Sequence, residues 1–232
     1  MQPWAYWGEN EYWCMATTIA YGHAGFFPAV EIPQACRYYF MMGALQRRYV
    51  QVPVAKIEYW DGKQFLSTSE ALPQDANKHG QVRVTYTNGL VIAVNVDDEP
   101  WEATAGSATM KLTKYGWLAT GPHGFLTYST DVDGRRVNYA HGKEYTFAEA
   151  GGKWYDFGEI ATDGEVCLKT DPAGGARLIA IDKMTKVTLK TGAQTVVTTD
   201  EFGKALGEVT VTREGERVSL GAVKGAVNYE LR

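Results

Sequence analysis

The chain of 232 residues lacks most of the features that announce a function outright. No uninterrupted apolar run approaches the roughly 18 residues that a membrane-spanning helix needs. No basic n-region followed by an apolar stretch opens it, so no signal peptide is read and localisation stays open. No basic block or stripe suits a phosphate backbone, and the net charge is a mild −4 with acids and bases interspersed. Nucleic acid and membrane are therefore not expected as partners. The cysteines, Cys14, Cys36 and Cys167, are odd in number and widely spaced. They form no CxxC pair, zinc pattern or disulfide framework. They read as small buried apolar residues, with a Cys14–Cys36 bridge as the alternative in an oxidising compartment. No His-x-x-x-His set and no Gly-x-Ser-x-Gly elbow occurs, which disfavours a zinc enzyme or a serine esterase. Asp131-Val132-Asp133-Gly134 lacks the ligands of a calcium loop and reads as a hairpin turn. No metal, nucleotide or other cofactor is expected.

What is present is a concentration of aromatic residues. About half of all Trp, Tyr and Phe residues lie between Trp4 and Trp60. This segment reads as helix and loop, with one helix over about Glu11–Ala20 and a second beginning at Pro33. Proline suits the first helical position because its missing N–H would be unpaired there. Cys36, Tyr39, Phe40, Gly43 and Tyr49 recur near helical spacing and are expected on one buried face. Arg47 and Arg48 complement the dipole in the last turn, and Pro53 forbids continuation.

From Val54 the period changes to two. A hairpin is expected at Asp61-Gly62, a capping box at Ser67 and Glu70, and a second hairpin at Asn88-Gly89. Many short strands follow, separated by Gly, Asp and Asn turns. The fold class is therefore mainly β: antiparallel β-sandwich regions preceded by a helical, aromatic-rich N-terminal segment. The expected division places that segment with its short hairpin at 1–73 and the sandwich region at 74–232, with a break near 160–176.

Several stretches together resemble the C-terminal portion of glycoside-hydrolase-like proteins, where the end of a (β/α)8 barrel runs into an all-β domain. They are Tyr21-Gly22-His23-Ala24-Gly25-Phe26, the helix with Tyr38-Tyr39-Phe40, Asn88-Gly89-Leu90-Val91-Ile92-Ala93-Val94-Asn95, and Gly121-Pro122-His123-Gly124-Phe125. The resemblance covers most of residues 20–145, and the chain is too short for a whole barrel. It implies a carbohydrate-active protein that acts on or binds a glycoside or polysaccharide. The alternative is a noncatalytic carbohydrate-binding or structural accessory domain, associating through its aromatic segment as a homo-oligomer or with a larger catalytic partner.

Glycoside hydrolysis usually needs two carboxyl groups flanking the bond. Glu31, Glu11 and Glu9 are the acids best placed among the aromatics; each reads equally as a helix-end or solvated charge. His23 lies between two glycines, where it could hydrogen-bond a sugar hydroxyl or pack in a tight loop. Trp7, Trp13 and Trp60 are candidate stacking surfaces for a sugar ring. Trp101, after Pro100, is expected in a loop as a surface candidate, whereas Trp117 and Trp154 are expected in a core.

Overall fold

Asn10 starts the first helix by accepting hydrogen bonds at Oδ1 from Tyr12 N (2.8 Å) and Trp13 N (3.4 Å), two of the donors a helix start leaves unmet. In this computed structural model, which describes residues 10–25, 31–170 and 175–232, that helix is α1 (Glu11–Ala20). Its end closes through Gly22 N to Ile19 O and His23 N to Thr18 O, with Gly22 at φ 65°. The second helix, α2 (Ile32–Tyr49), starts one residue earlier than proline spacing suggests; Glu31 is its N-cap and makes no side-chain capping bond. Its buried residues include Tyr38, Phe40, Met41, Met42, Leu45 and Tyr49. Tyr39, expected inside, is 57% exposed.

Chain contacts divide the protein into two units, residues 1–136 and 137–232. In the first, the strands are β1 (Val54–Trp60), β2 (Phe65–Ser67), β3 (Gln81–Tyr86), β4 (Val91–Asn95), β5 (Trp101–Ala105), β6 (Ala108–Leu112), β7 (Gly116–Gly121) and β8 (Phe125–Val132). A one-turn helix, α3 (Thr68–Ala71), follows β2. An antiparallel sheet runs in the order β8-β7-β4-β3-β1-β2, and β5 with β6 forms a separate hairpin. Ile57, Val84, Ile92 and Ala119 lie opposite one another across four strands. α1 contacts β3, β4 and β7, burying Met15, Ala16 and Ile19. The helical segment thus shares its core with these strands, and residues 74–79, read as a boundary, are short 3-10 turns inside the unit.

Turn chemistry departs from expectation in detail. Asp61-Gly62 belongs to a four-residue loop between Trp60 and Phe65, because Asp61 Oδ1 accepts from Lys63 N (2.7 Å) and Gln64 N (2.8 Å) instead of adopting positive φ. At the second hairpin only Gly89 has positive φ (85°), and Asn88 donates through Nδ2 to Arg48 O (2.7 Å), tying α2's last turn to the sheet. Asp133 (50°) and Gly134 (74°) do carry the paired positive φ of a type I′ turn.

The second unit holds β9 (Arg135–His141), β10 (Tyr145–Glu149), β11 (Tyr155–Asp156), β12 (Ile160–Thr162), β13 (Glu165–Thr170) and β14 (Ala176–Asp182). It continues with β15 (Lys186–Lys190), β16 (Val196–Thr199), β17 (Ala205–Val209), β18 (Thr212–Glu214), β19 (Arg217–Gly221) and β20 (Asn228–Leu231). Two antiparallel arrays result, β17-β16-β20-β14-β13-β10-β9 and β11-β12-β15-β19-β18. Their inward residues, among them Phe147, Val166, Leu178, Val187, Leu189 and Val218, are completely buried. The protein is mainly β, with large antiparallel sheets and an N-terminal helical segment.

Candidate functional site

The central strands of the five-stranded array of the second unit alternate in side-chain direction, although Thr188 on the outer side of β15 is only 8% exposed. In β15, Val187 and Leu189 point inward opposite Leu220 and Val218 of β19, which leaves Lys186, Thr188 and Lys190 on the other face. On that outer face Thr212, Ser219 and Thr188 stand opposite one another across β18, β19 and β15. Thr188 Oγ1 and Ser219 Oγ are 2.6 Å apart and share a hydrogen bond, and Thr212 lies beside them in register. The row lies in a groove of about 520 Å³ that Trp154 also lines.

Two acids hold the ends of this groove. Asp163 accepts from Thr185 N (2.9 Å), Lys186 N (3.2 Å) and the Thr185 hydroxyl. Burial pushes its carboxyl up, but these hydrogen bonds prevail and hold it below the usual range. It thereby fixes the entry of β15, from which Lys186 Nζ reaches 5.3 Å from the centre of the Trp154 ring. At the other end Arg217 grips Asp156 through Nη1 (2.6 Å) and Nη2 (3.1 Å) and donates to Gly158 O (2.7 Å). The Arg217 guanidinium keeps Asp156 well below the ordinary carboxylate range.

Trp154 follows Gly151 and Gly152, both at positive φ (66° and 85°), and is 45% exposed. This overturns its expected core position. Chemically, the groove offers a flat indole, hydroxyls that can donate and accept, the Arg217 guanidinium already engaged by Asp156, and the charged side chains of Lys186 and Glu214.

The residues singled out in the sequence lie elsewhere. Glu9 and Trp7 fall outside the described residues. Glu11 opens α1 and is engaged by Arg37 Nη1 (2.8 Å) and Gln34 Nε2 (3.1 Å) of α2, an arrangement that joins the two helices. Glu31 is an exposed N-cap. His23 is exposed, and its carbonyl accepts from Tyr49 Oη (2.7 Å). Trp13 is half-buried on α1, where its carbonyl accepts from Thr17 Oγ1 (2.8 Å).

Among the described residues Trp60 and Trp101 come together, with ring centres 6.4 Å apart and planes at 29°. Trp101 is a correction: it begins β5, not a loop, and at 5% exposure is no surface platform. The reason is Phe65, which meets both indoles edge-on at 5.0 and 6.0 Å and carries the Arg83 guanidinium 3.6 Å above its own ring. Arg83 in turn pairs with Glu58, 5% exposed, at 2.8 Å, and Lys56 Nζ reaches the same carboxylate at 2.7 Å. This cluster is built as packing.

The groove residues were readable only in part. The alternation Lys186-Val187-Thr188-Leu189-Lys190 marks a half-buried strand with an outward hydroxyl. Nothing in the local sequence aligns it with Ser219, 31 positions later. In comparisons with known proteins no family model matches the chain, and no curated protein or solved structure matches it either.

Proposed function

We propose that the protein binds a neutral carbohydrate chain, without turning it over, in the groove of the second unit. The observation that carries this reading is the exposed indole of Trp154 at the head of the Thr188–Ser219–Thr212 hydroxyl row. A pyranose presents an apolar C–H face, which stacks on an aromatic plane, and a rim of hydroxyls, which exchange hydrogen bonds with Thr and Ser. Lys186 to Lys190 spans about 13 Å at roughly 3.3 Å per residue, room for more than one sugar ring along β15. The groove lies outside residues 20–145, which carry the glycoside-hydrolase resemblance, so the reading rests on the groove's own chemistry. Glu11, one of the acids that resemblance drew attention to, is committed to Arg37 and Gln34.

Affinity electrophoresis through gels cast with neutral polysaccharides (a β-glucan, a mannan, a xylan and an α-glucan) tests the reading. Retardation is expected in at least one, and Trp154→Ala should weaken it at least about tenfold, the loss of one stacking contact. Thr188→Val, which keeps shape and removes a hydroxyl, should weaken it less. Free migration in all four gels, or retardation that Trp154→Ala leaves unchanged, would refute the proposal.

A further inference from the structure

The helical part of the first unit leaves one face of α2 open. α2 packs on α1 and β8, and its buried residues include Met41, Met42 and Leu45. At about 100° per residue, Ile32, Tyr39, Gly43 and Val50 fall within about 40° of one another, about 180° around the helix from Met41. Ile32 is 78% exposed, Tyr39 57%, and Val50, which ends the helix, 38%. Cys36 and Gly43 between them are half-buried. A surface helix normally turns a polar face to water; this one turns isoleucine, tyrosine and valine.

The spacing on that face identifies what fits it. Ile32, Cys36, Tyr39, Gly43, Gln46 and Val50 follow one another in steps of four, three, four, three and four. That repeat is the one by which a helix seats its side chains between those of another helix.

The same line is complementary to itself when reversed. Met41 is its midpoint, so an antiparallel copy turned about that level sets Ile32 against the copy's Val50 and Cys36 against the copy's Gln46. Tyr39, the largest side chain on the face, then meets the copy's Gly43, which has none. A parallel copy would set Tyr39 on Tyr39 and Gly43 on Gly43, a clash followed by a gap. Charge selects the same direction. Glu31, an exposed N-cap without a side-chain capping bond, comes within a turn of the copy's Arg47 in the last turn of α2. The parallel arrangement brings acid to acid, base to base, and like ends of the helix dipoles together.

We propose that two copies of this chain associate through this face of α2, antiparallel about a two-fold axis level with Met41. The interface belongs to the first unit and is independent of the carbohydrate groove. α2 is about 27 Å long at 1.5 Å per residue, so a single helix pair falls below the about 800 Å² per partner of a standard complex. The dimer therefore dissociates in the micromolar range, at about 10–100 µM.

Sedimentation of the full-length protein from about 1 µM to about 1 mM should show a monomer–dimer equilibrium. Tyr39→Ala and Ile32→Glu, both at exposed positions, should each raise the dissociation constant at least about tenfold and leave the far-ultraviolet circular dichroism unchanged. Direction is read by disulfide cross-linking in a Cys36→Ser background: Ile32→Cys and Val50→Cys proteins should cross-link when mixed and not alone. Trp154→Ala should leave the equilibrium unchanged, so failure here and failure of carbohydrate binding are separable. A chain that stays monomeric over the whole range, leaving the face to a different protein, would overturn the proposal. So would a dimer that both substitutions leave intact, or cross-linking of either cysteine variant alone without the mixed product.

Discussion

Replacing Glu58 by Gln tests how the rim of the first unit's sheet is held. The carboxylate is 5% exposed and lies between two cations of unequal setting: Lys56, whose side chain is 61% exposed, and Arg83, at 24%. An exposed pair contributes about 0.2–1 kcal/mol, while breaking a fully buried one costs about 3–5 kcal/mol. Lys56 belongs to the first class. Arg83 falls between the two, because Phe65 covers one face of its guanidinium while glutamine can still accept one of its hydrogen bonds. Together they give an expected loss of about 2 kcal/mol near neutral pH.

Acid provides the internal control. Burial would raise the Glu58 carboxyl, but hydrogen bonds from Lys56 and Arg83 outweigh it and hold the group below its ordinary value. A carboxyl lowered by folding stabilises above the unfolded value of about 4.3, and loses that contribution as pH falls through the lower folded value. Urea titrations of both proteins, followed by tryptophan emission from the Trp60–Trp101 cluster, should therefore show a gap at neutral pH that closes in acid. A gap below about 0.5 kcal/mol at neutral pH, or one that persists once the carboxyl is protonated, would refute the assignment of Glu58 as a charge held by its partners.

Two further substitutions probe other parts of the fold. Asn95 is completely buried; its Nδ2 donates to Glu99 O (2.9 Å) and Leu112 O (3.0 Å), and its Oδ1 accepts from Asp97 N (3.0 Å). Asn95→Ala should cost about 3 kcal/mol by urea unfolding and alter the near-ultraviolet circular dichroism of Trp101, because it strands two carbonyls beside β5. At Gly164 a Cβ would meet Met184 N and lie 2.6 Å from Asp182 O, whereas at Gly192 it would meet nothing within 4 Å. Gly164→Ala should lower stability by about 2–3 kcal/mol while Gly192→Ala leaves the melting temperature within a degree or two.

The parts of the fold that depend on local chemistry were legible. Asn10 and Gly22 frame α1 at the expected bounds, and alternation of apolar residues located β1, β3 and β4. What depends on distant partners was not. β5 and β6 escaped notice because Trp101-Glu102-Ala103-Thr104-Ala105 is poor in β-branched residues; Trp101, Ala103 and Ala105 are nonetheless buried in alternation with exposed Glu102 and Thr104. Tyr38 and Tyr39 are indistinguishable by composition, yet one is buried and the other exposed, since a residue's position around the helix turns on what the sheet presents to it. The same limit governed the tryptophans. Trp101 and Trp154 have similarly polar, turn-rich surroundings in sequence, and only the contact with Phe65 on one side and the glycine turn on the other decides which indole meets water.

The partial cover of β1 has a consequence for solubility. β2 pairs only with Glu58–Trp60, so among the described residues the backbone of Val54–Ile57 is laddered on one side alone. Such an edge invites a strand from another copy, and hydrophobic text like Val54-Ala55-Lys56-Ile57 would suit one. Three features work against that pairing. Pro53 cannot donate to an added strand, the irregular register between Val54 and Lys56 spoils the flat repeat a newcomer must match, and Lys56 places its charge on the edge itself. Lys56 thus serves the individual molecule through Glu58 and the crowded solution through repulsion. The second role would leave no trace in a measurement of folding stability.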